Sequence, residues 1–484
     1  MKILKLFILF YFVDHSFSVN VETGFNYCSG LRSSLNFFNA NRAGYIKDNI
    51  LYDWQNNVTT KLDTYNDQFD ENGNGLLSGG YFNDGSYIKS TFAIAHSMTS
   101  LGWAFMEFKD NIKSCTGLKD QYLSTLRWGL DWLMAAHPSE NVIYAQCGKR
   151  SDLAKWNIPS KIYDQYSGTP KRSCWLVINE KNPGSDVAHE MTAAFAVSHM
   201  IFSLVDPDYA IKLRTHAFQL YDFGAKFPGK FSNIKSVDPI EFHSTGYGDE
   251  MYWASAWLYA MTGQNKYLQV VNKPPFDLTF NDSSSVAYNY DQKQAASMVL
   301  LTKKFGFYEK QTKSILNYWS TFMGKTKDGL YINGAGVSNG FSMGGSFLEA
   351  IWNNNQPKER VFKDAYHIGQ MNIILGNNSN GMSYVCNVGF LGASTPRNLH
   401  HRASHYSISS SISSPAINTY PLDGAMVGGP VDSMDTYSDD RTNIPMNQPT
   451  IDFNSLFTGV MASMILNETT PEQPDTPTTG PFTT

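Results

Sequence analysis

The sequence has no basic surplus: 38 Lys and Arg against 43 Asp and Glu leave a formal net charge of -5. That balance excludes the basic face that nucleic acid demands of a partner. After residue 18, no apolar run approaches the roughly 18 residues that a membrane-spanning helix needs. Cysteine is sparse. Cys28, Cys115, Cys147, Cys174 and Cys386 allow at most two bridges and leave one odd thiol, and a chain of 484 residues does not depend on such staples. Convincing strand alternation is missing as well, which argues against a sheet-built fold.

What remains is helical periodicity. Leu126, Leu130, Leu133 and Met134 recur at helical spacing, and similar apolar stripes run through about 92–106, 191–204, 209–223, 251–261, 295–305, 347–352 and 456–465. Loops rich in Gly, Asn, Ser and Asp separate them, so periodicity alone predicts an all-α fold. With 42% hydrophobic and 14% aromatic residues, the chain can bury one large core or two ordinary ones. Most of the aromatic side chains are expected in that core, although Trp and Tyr also line sugar-binding grooves.

Residues 1–18 read as a signal peptide, with Lys2 and Lys5, an apolar run from Leu6 to Val13, and small Ser16 and Ser18 before a cleavage site. Secretion is therefore expected, with no membrane attachment once the leader is removed. Sequons at Asn57, Asn281, Asn377 and Asn467 fit that compartment. Residues 468–484 are Thr/Pro-rich and too polar to order themselves, so a disordered tail is expected after a folded domain over 19–467.

Several ordered blocks stand in the loops. They include Gly79-Gly80-Tyr81-Phe82-Asn83-Asp84-Gly85-Ser86, Trp128-Gly129-Leu130-Asp131-Trp132, Asn182-Pro183-Gly184-Ser185-Asp186 and Gly246-Tyr247-Gly248-Asp249-Glu250. Leu399-His400-His401-Arg402, Asp423-Gly424-Ala425, Asp439-Asp440-Arg441 and Asn447-Gln448 follow. In this order, from about Phe25 to Leu466, the chain resembles family 9 glycoside hydrolases, the inverting endo-β-1,4-glucanases. The resemblance implies an (α/α)6 barrel whose loops form a cleft at one end, and β-glucan or a related polysaccharide as partner.

Inverting hydrolysis uses one carboxylic acid to protonate the leaving oxygen and one carboxylate to activate water. The family places the base in a D-A-G-D turn and the acid in an N-E block, where this chain has Asn83, Asp84, Gly85 and Ser86, then Asn447 and Gln448. Neither an amide nor an unassisted serine can fill these roles at neutral pH. Asn83, Ser86 and Gln448 are thus the substituted catalytic positions, and Asp84 is the carboxylate that could serve as a recruited base. The resemblance also expects a histidine at Leu153 after Asp152, a tyrosine at Phe453, aromatic platforms near Ser244 and Val286, and a tryptophan and an arginine near Gly336 and Gly340.

Other positions match. His400 and Arg402 stand where the family holds sugar hydroxyls, beside the retained Trp156; an ion pair from Arg402 to Asp439 or Asp440 is the structural alternative. Thr245, Gly246, Asp249, Glu250 and Asp291 fall where relatives bind Ca2+, a set of oxygen donors that such a hard cation prefers. A helix N-terminus that favours Asp249 and Glu250 is the alternative there. No organic cofactor is implied. The resulting expectation is a secreted, cellulase-like protein, catalytically impaired and retained for β-glucan binding or wall and matrix organisation. Two alternatives stand beside it: an active endoglucanase using Asp84, and a structural protein without glycan affinity.

Overall fold

A computed structural model of the protein describes residues 25–46, 50–55, 63–64, 68, 70, 74–164, 172, 174–236, 240–333, 337–354, 365–407 and 411–465. The expected leader and tail, Gly336, and the sequons at Asn57 and Asn467 lie outside these residues; Asn281 and Asn377 are exposed.

The longer helices are α1 (Tyr27–Ala40), α2 (Thr91–Glu107), α3 (Leu118–Ala135), α4 (Ser185–Phe202), α5 (Pro207–Lys226) and α6 (Gly248–Thr262). They continue with α7 (Asn265–Val271), α8 (Gln294–Phe305), α9 (Glu309–Thr321), α10 (Ser338–Asn353), α11 (Tyr366–Ile374) and α12 (Ile451–Ser463). Local chemistry sets their ends. Asn26 caps α1 by accepting from Ser29 N at 3.0 Å, and Asp206 caps α5 by accepting from Tyr209 N at 3.2 Å just before Pro207.

The even-numbered helices form a closed inner ring, α2 on α4, then α6, α8, α10 and α12, which returns to α2. Each odd-numbered helix packs outside an inner one: α1 on α12, α3 on α2, α5 on α4, α7 on α6, α9 on α8 and α11 on α10. This is the expected (α/α)6 barrel. Inner helices are buried on every side, as α2 is from Thr91 to Phe105, which is why their apolar stripes are broad. Inside the ring Trp103 meets Trp253, Trp257 and Phe347 with ring centroids 5.5, 5.7 and 5.6 Å apart. At about 25 cal/mol per Å² of apolar surface, such aromatics dominate the core's stabilisation. On α12, a Cβ at Gly459 would lie 2.4 Å from the Phe347 ring, so only glycine lets α12 and α10 approach so closely.

Strands are few. Lys89–Ser90 (β1), Ile143–Cys147 (β2) and Cys174–Ile178 (β3) form a three-stranded antiparallel sheet in the order β1-β2-β3. Cys147 and Cys174 face each other across it and form one disulfide; Cys28 and Cys115 form the other, and Cys386 is a buried free thiol. Because inner and outer helices alternate, the segments leading into the inner helices gather at one end of the barrel. These segments carry Asn83 to Ser86 before α2, Glu241 to Gly246 before α6, Asp291 before α8 and Gln448 before α12.

Candidate functional site

The turn before α2 is built by its own side chains. Asn83 Oδ1 accepts from Ser90 N, the Asn83 carbonyl accepts from Ile451 N at 2.8 Å, and Ser86 Oγ accepts from Ile88 N at 3.1 Å. Asn83 and Ser86 are 1% and 2% exposed, so both are turned into the fold. Asp84 is only half-buried. Its Oδ1 accepts from Ser86 N at 3.1 Å and its Oδ2 from Gln448 Nε2 at 3.1 Å, while Gln448 Nε2 also donates to the Asp84 carbonyl at 3.0 Å. Asn447 presents Gln448: fully buried, it donates to the carbonyls of Ser438 (2.7 Å) and Asp440 (2.8 Å) and accepts from Tyr437 Oη at 2.8 Å.

Gly85 has φ +73°, and a Cβ there would lie 2.4 Å from the His400 carbonyl, which locks this turn against the His-His-Arg block. Arg402 crosses the joint. Its Nε donates to the Leu153 carbonyl at 3.1 Å, joined by Nη2, and its Nη1 donates to the Gly85 carbonyl at 3.2 Å. The guanidinium lies over Trp156, 4.9 Å from the ring centroid, and no ion pair links it to Asp439 or Asp440. Asp439 instead accepts from the backbone N–H groups of Arg397 and Asn398, both at 2.9 Å. Trp156 also meets His400 edge-on, 4.9 Å between centroids.

His400 Nδ1 lies 2.7 Å from the Arg441 carbonyl, so Nδ1 carries the proton and Nε2 is the acceptor of the neutral ring. Burial pushes this imidazole down, and the charge of Arg402 adds to that. His401 is structural: its Nδ1 accepts from Ser404 N at 3.1 Å as the cap of the short helix Arg402–His405.

Sequence reasoning missed Glu241. This half-buried residue is held by its backbone N–H, which donates to Gln146 Oε1 of β2 at 2.9 Å. Burial and then the negative charge of Asp84 raise its carboxyl to about 7, opposed by Arg150 and Arg402. The available signal was thin, an acidic residue in the loop Ile240-Glu241-Phe242-His243 between two family-like blocks.

The remaining expected positions divide. Phe453 and Gly340 face each other across α12 and α10: a Cβ at Gly340 would lie 2.7 Å from the Phe453 ring. The ring therefore fills the space that a side chain at 340 would need. Val286 is fully buried and its carbonyl accepts from Trp319 Nε1 at 3.0 Å, so this position belongs to the core and offers no platform. Ser244, 4% exposed, is likewise engaged, its N–H donating to Ser232 Oγ at 2.7 Å. Asp152, fully buried, pairs with Arg172.

The proposed Ca2+ ligands gather near the N-terminus of α6. Asp291 accepts from Thr245 N (2.7 Å) and Oγ1 (2.8 Å), Asp249 Oδ2 accepts from Lys293 N at 2.9 Å, and the Gly246 carbonyl accepts from Ser244 Oγ. Glu250 is fully buried with neither carboxylate oxygen hydrogen-bonded. Burial and then Asp249 push its carboxyl well above the ordinary range. The convergence expected of Asp249, Glu250 and Asp291 is not seen: among the described residues, no group of three His, Cys, Asp or Glu side chains is spaced to hold a metal ion.

The fold is thus an (α/α)6 barrel whose loop end brings His400, Arg402 and Trp156 into contact. The family model for glycosyl hydrolase family 9 matches residues 27–461, and the chain belongs to this family. It is 34% identical over 480 residues to an endoglucanase of Dictyostelium discoideum, covering 96% of this chain and 64% of that one. It is 30% identical over 470 residues to endoglucanase A of Bacillus pumilus, covering 91% and 66%. The chain thus spans less than two thirds of the length of each. Among solved structures, the endoglucanase of the termite Nasutitermes takasagoensis superposes with TM-score 0.78 at 30% identity, covering 91% of this chain and 99% of that one. The C. cellulolyticum cellulase Cel9M in complex with cellobiose gives TM-score 0.77 at 25% identity, covering 91% and 98%.

Proposed function

We propose that this protein is a secreted, cellulase-like binder of β-1,4-glucan in which hydrolysis through the family's own acid and base positions is impaired. The observation that carries this reading is the contact of Gln448 with Asp84. Where the resemblance expects an acid to protonate the glycosidic oxygen, an amide donates to a carboxylate and has no proton to release. Asn83 and Ser86, spent on backbone N–H groups, cannot replace the base. Binding draws on the half-buried Trp156, with the Nε2 acceptor of His400 and the guanidinium of Arg402, each 4% exposed, beneath it. Three of the five guanidinium N–H groups of Arg402 serve backbone carbonyls, which leaves two for a sugar oxygen. The leader-like residues 1–18 and the two disulfides support secretion.

A second reading, slow hydrolysis, is favoured by Asp84, the one half-buried carboxylate in contact with the acid position. Calcium at the α6 pole is a further part of the proposal. Glu250, buried without any hydrogen-bond donor, supports a cation there, around which Asp249, Glu250 and Asp291 would have to draw together with Thr245 and Gly246. Bound there, calcium would neutralise buried charge. Equilibrium binding of cellohexaose, measured beside release of reducing ends from soluble β-1,4-glucan, tests the main reading. Binding with little turnover is expected; failure to bind would reject it.

A further inference from the structure

The two disulfides sit at opposite ends of the barrel. Cys28 lies on α1 and Cys115 between α2 and α3, at the end where inner helices hand over to outer ones. Cys147 closes β2 and Cys174 opens β3, in the segment that leads into the inner helix α4 and therefore at the loop end. There the bridge joins the last pair of the β2–β3 ladder and shuts a loop with a sequence separation of 27. Trp156 is in that loop.

A run of contacts leads from the bridge to the sugar site. Arg172, two residues before Cys174 and fully buried, pairs with Asp63 and with Asp152 Oδ2 at 3.4 Å, and it donates to the Tyr87 carbonyl. Asp152 Oδ2 also accepts from Lys149 N at 3.2 Å, which sets the short helix Arg150–Leu153, and the carbonyl of Leu153 accepts from Arg402. Tyr87 Oη donates to the Asn157 carbonyl, beside Trp156. The indole is thus gripped through Arg172 on one side and by Arg402 on the other. Gly148, directly after Cys147, lets the chain pass: its φ is +94°, and a Cβ there would lie 2.4 Å from Arg172 Nη2. Its carbonyl accepts from Trp175 Nε1 at 2.8 Å.

Stability depends more on the other bridge. A cross-link stabilises more the longer the loop it closes, and Cys28–Cys115 has a separation of 87 against 27. We propose that the Cys147–Cys174 disulfide is a positioning element of the glucan site, so that oxidation of this pair makes the cleft competent to bind sugar, an inference that rests on the binding reading above. Two thiols become one disulfide, and their two electrons and two protons pass to a small-molecule disulfide such as oxidised glutathione, which leaves as two thiols. With the bridge closed, Gly148 is held against Arg172, Arg172 holds Asp152, and Leu153 and Trp156 stand where Arg402 and His400 meet them. With the thiols free, the end of the ladder opens and the indole loses its fixed place against His400. Both cysteines are buried, so exchange reaches them slowly and the bridge persists once made.

The test uses the full chain, with cellohexaose as the probe. Cys147→Ser/Cys174→Ser should unfold cooperatively yet bind cellohexaose at least about tenfold more weakly, because a loop no longer pre-organised must be ordered by the ligand. Cys28→Ser/Cys115→Ser should lower the melting temperature more, yet keep affinity within about twofold of the parent. Gly148→Ala retains both bridges but displaces Arg172; it should reproduce the affinity loss, and it decides the question if the first variant does not fold. When Cys28→Ser/Cys115→Ser is refolded in glutathione buffers of graded poise, affinity should track the fraction of Cys147–Cys174 disulfide counted by thiol alkylation. Parent-like affinity in folded Cys147→Ser/Cys174→Ser or in Gly148→Ala would overturn the proposal, as would an equal loss in Cys28→Ser/Cys115→Ser. A parent protein that does not bind cellohexaose would instead reject the binding reading itself.

Discussion

Asp63 and Asp84 lie in the same stretch of chain and each has an arginine nearby, but the two carboxylates have opposite company. Asp63, fully buried, is ion-paired with Lys89 Nζ at 2.7 Å and with Arg172 Nη1. Burial alone would raise its carboxyl, yet the two cations hold it below its ordinary range. Asp84 has Arg402 close by, but Arg402 donates to the carbonyls of Leu153 and Gly85, and Asp84 accepts instead from the amide of Gln448 and from the Ser86 N–H. One carboxylate is a closed structural lock. The other lies half-buried at the loop end of the barrel, where a ligand can meet it.

Asp63→Asn should therefore be the costliest change. Leaving Lys89 and Arg172 buried without their anion is expected to remove about 3–5 kcal/mol in denaturant unfolding. Asp84→Asn should cost less than about 1 kcal/mol, since it leaves no cation stranded. Equal losses would dissolve the contrast. The linkage has a definite sign: a carboxyl lowered by folding stabilises above its unfolded pKa of about 3.9, and that contribution disappears as pH falls through the folded value.

The proposed calcium concerns a third carboxylate, Glu250, which is buried with no hydrogen-bond donor among the described residues. Saturating calcium at about 100 times its Kd should add about 2.7 kcal/mol, seen as a higher melting temperature that chelator reverses. Glu250→Gln should abolish the response. A melting temperature indifferent to chelator would remove the metal from the account.

The smallest effect concerns Gln448→Glu. It would place a second carboxyl 3.1 Å from Asp84, and two carboxyls so close must share a proton at neutral pH. A rise in glucan turnover of about 10–10²-fold is expected, below the full value of a proton-transfer role. Adding Asn83→Asp and Ser86→Asp should leave the enzyme far weaker than an ordinary cellulase, because the Phe453 ring occupies the place of any side chain at 340. Full cellulase-like turnover in the triple variant would contradict this.

The barrel was legible because its helices repeat apolar residues at a period the sequence displays. The small sheet was not, because a five-residue strand such as Cys174–Ile178 gives too few alternations to stand out, although Cys174, Leu176 and Ile178 do face inward. At the site, the substituted positions could be named from their blocks. Their consequences could not: that Arg402 is tied to Leu153 and Gly85, or that Val286 is core, depends on contacts between distant loops. Glu241 was invisible for the same reason, since nothing in its own segment announces Asp84.

The account's central claim is that this cleft binds β-1,4-glucan while its inherited acid and base positions are silent. It is tested most directly by measuring cellohexaose affinity and glucan turnover on the same purified preparation, for the parent and for Asp84→Asn. The account predicts retained binding in both, with parent turnover at least about 10²-fold below an ordinary family enzyme and lost in the variant. Turnover at an ordinary cellulase rate that survives Asp84→Asn would contradict it.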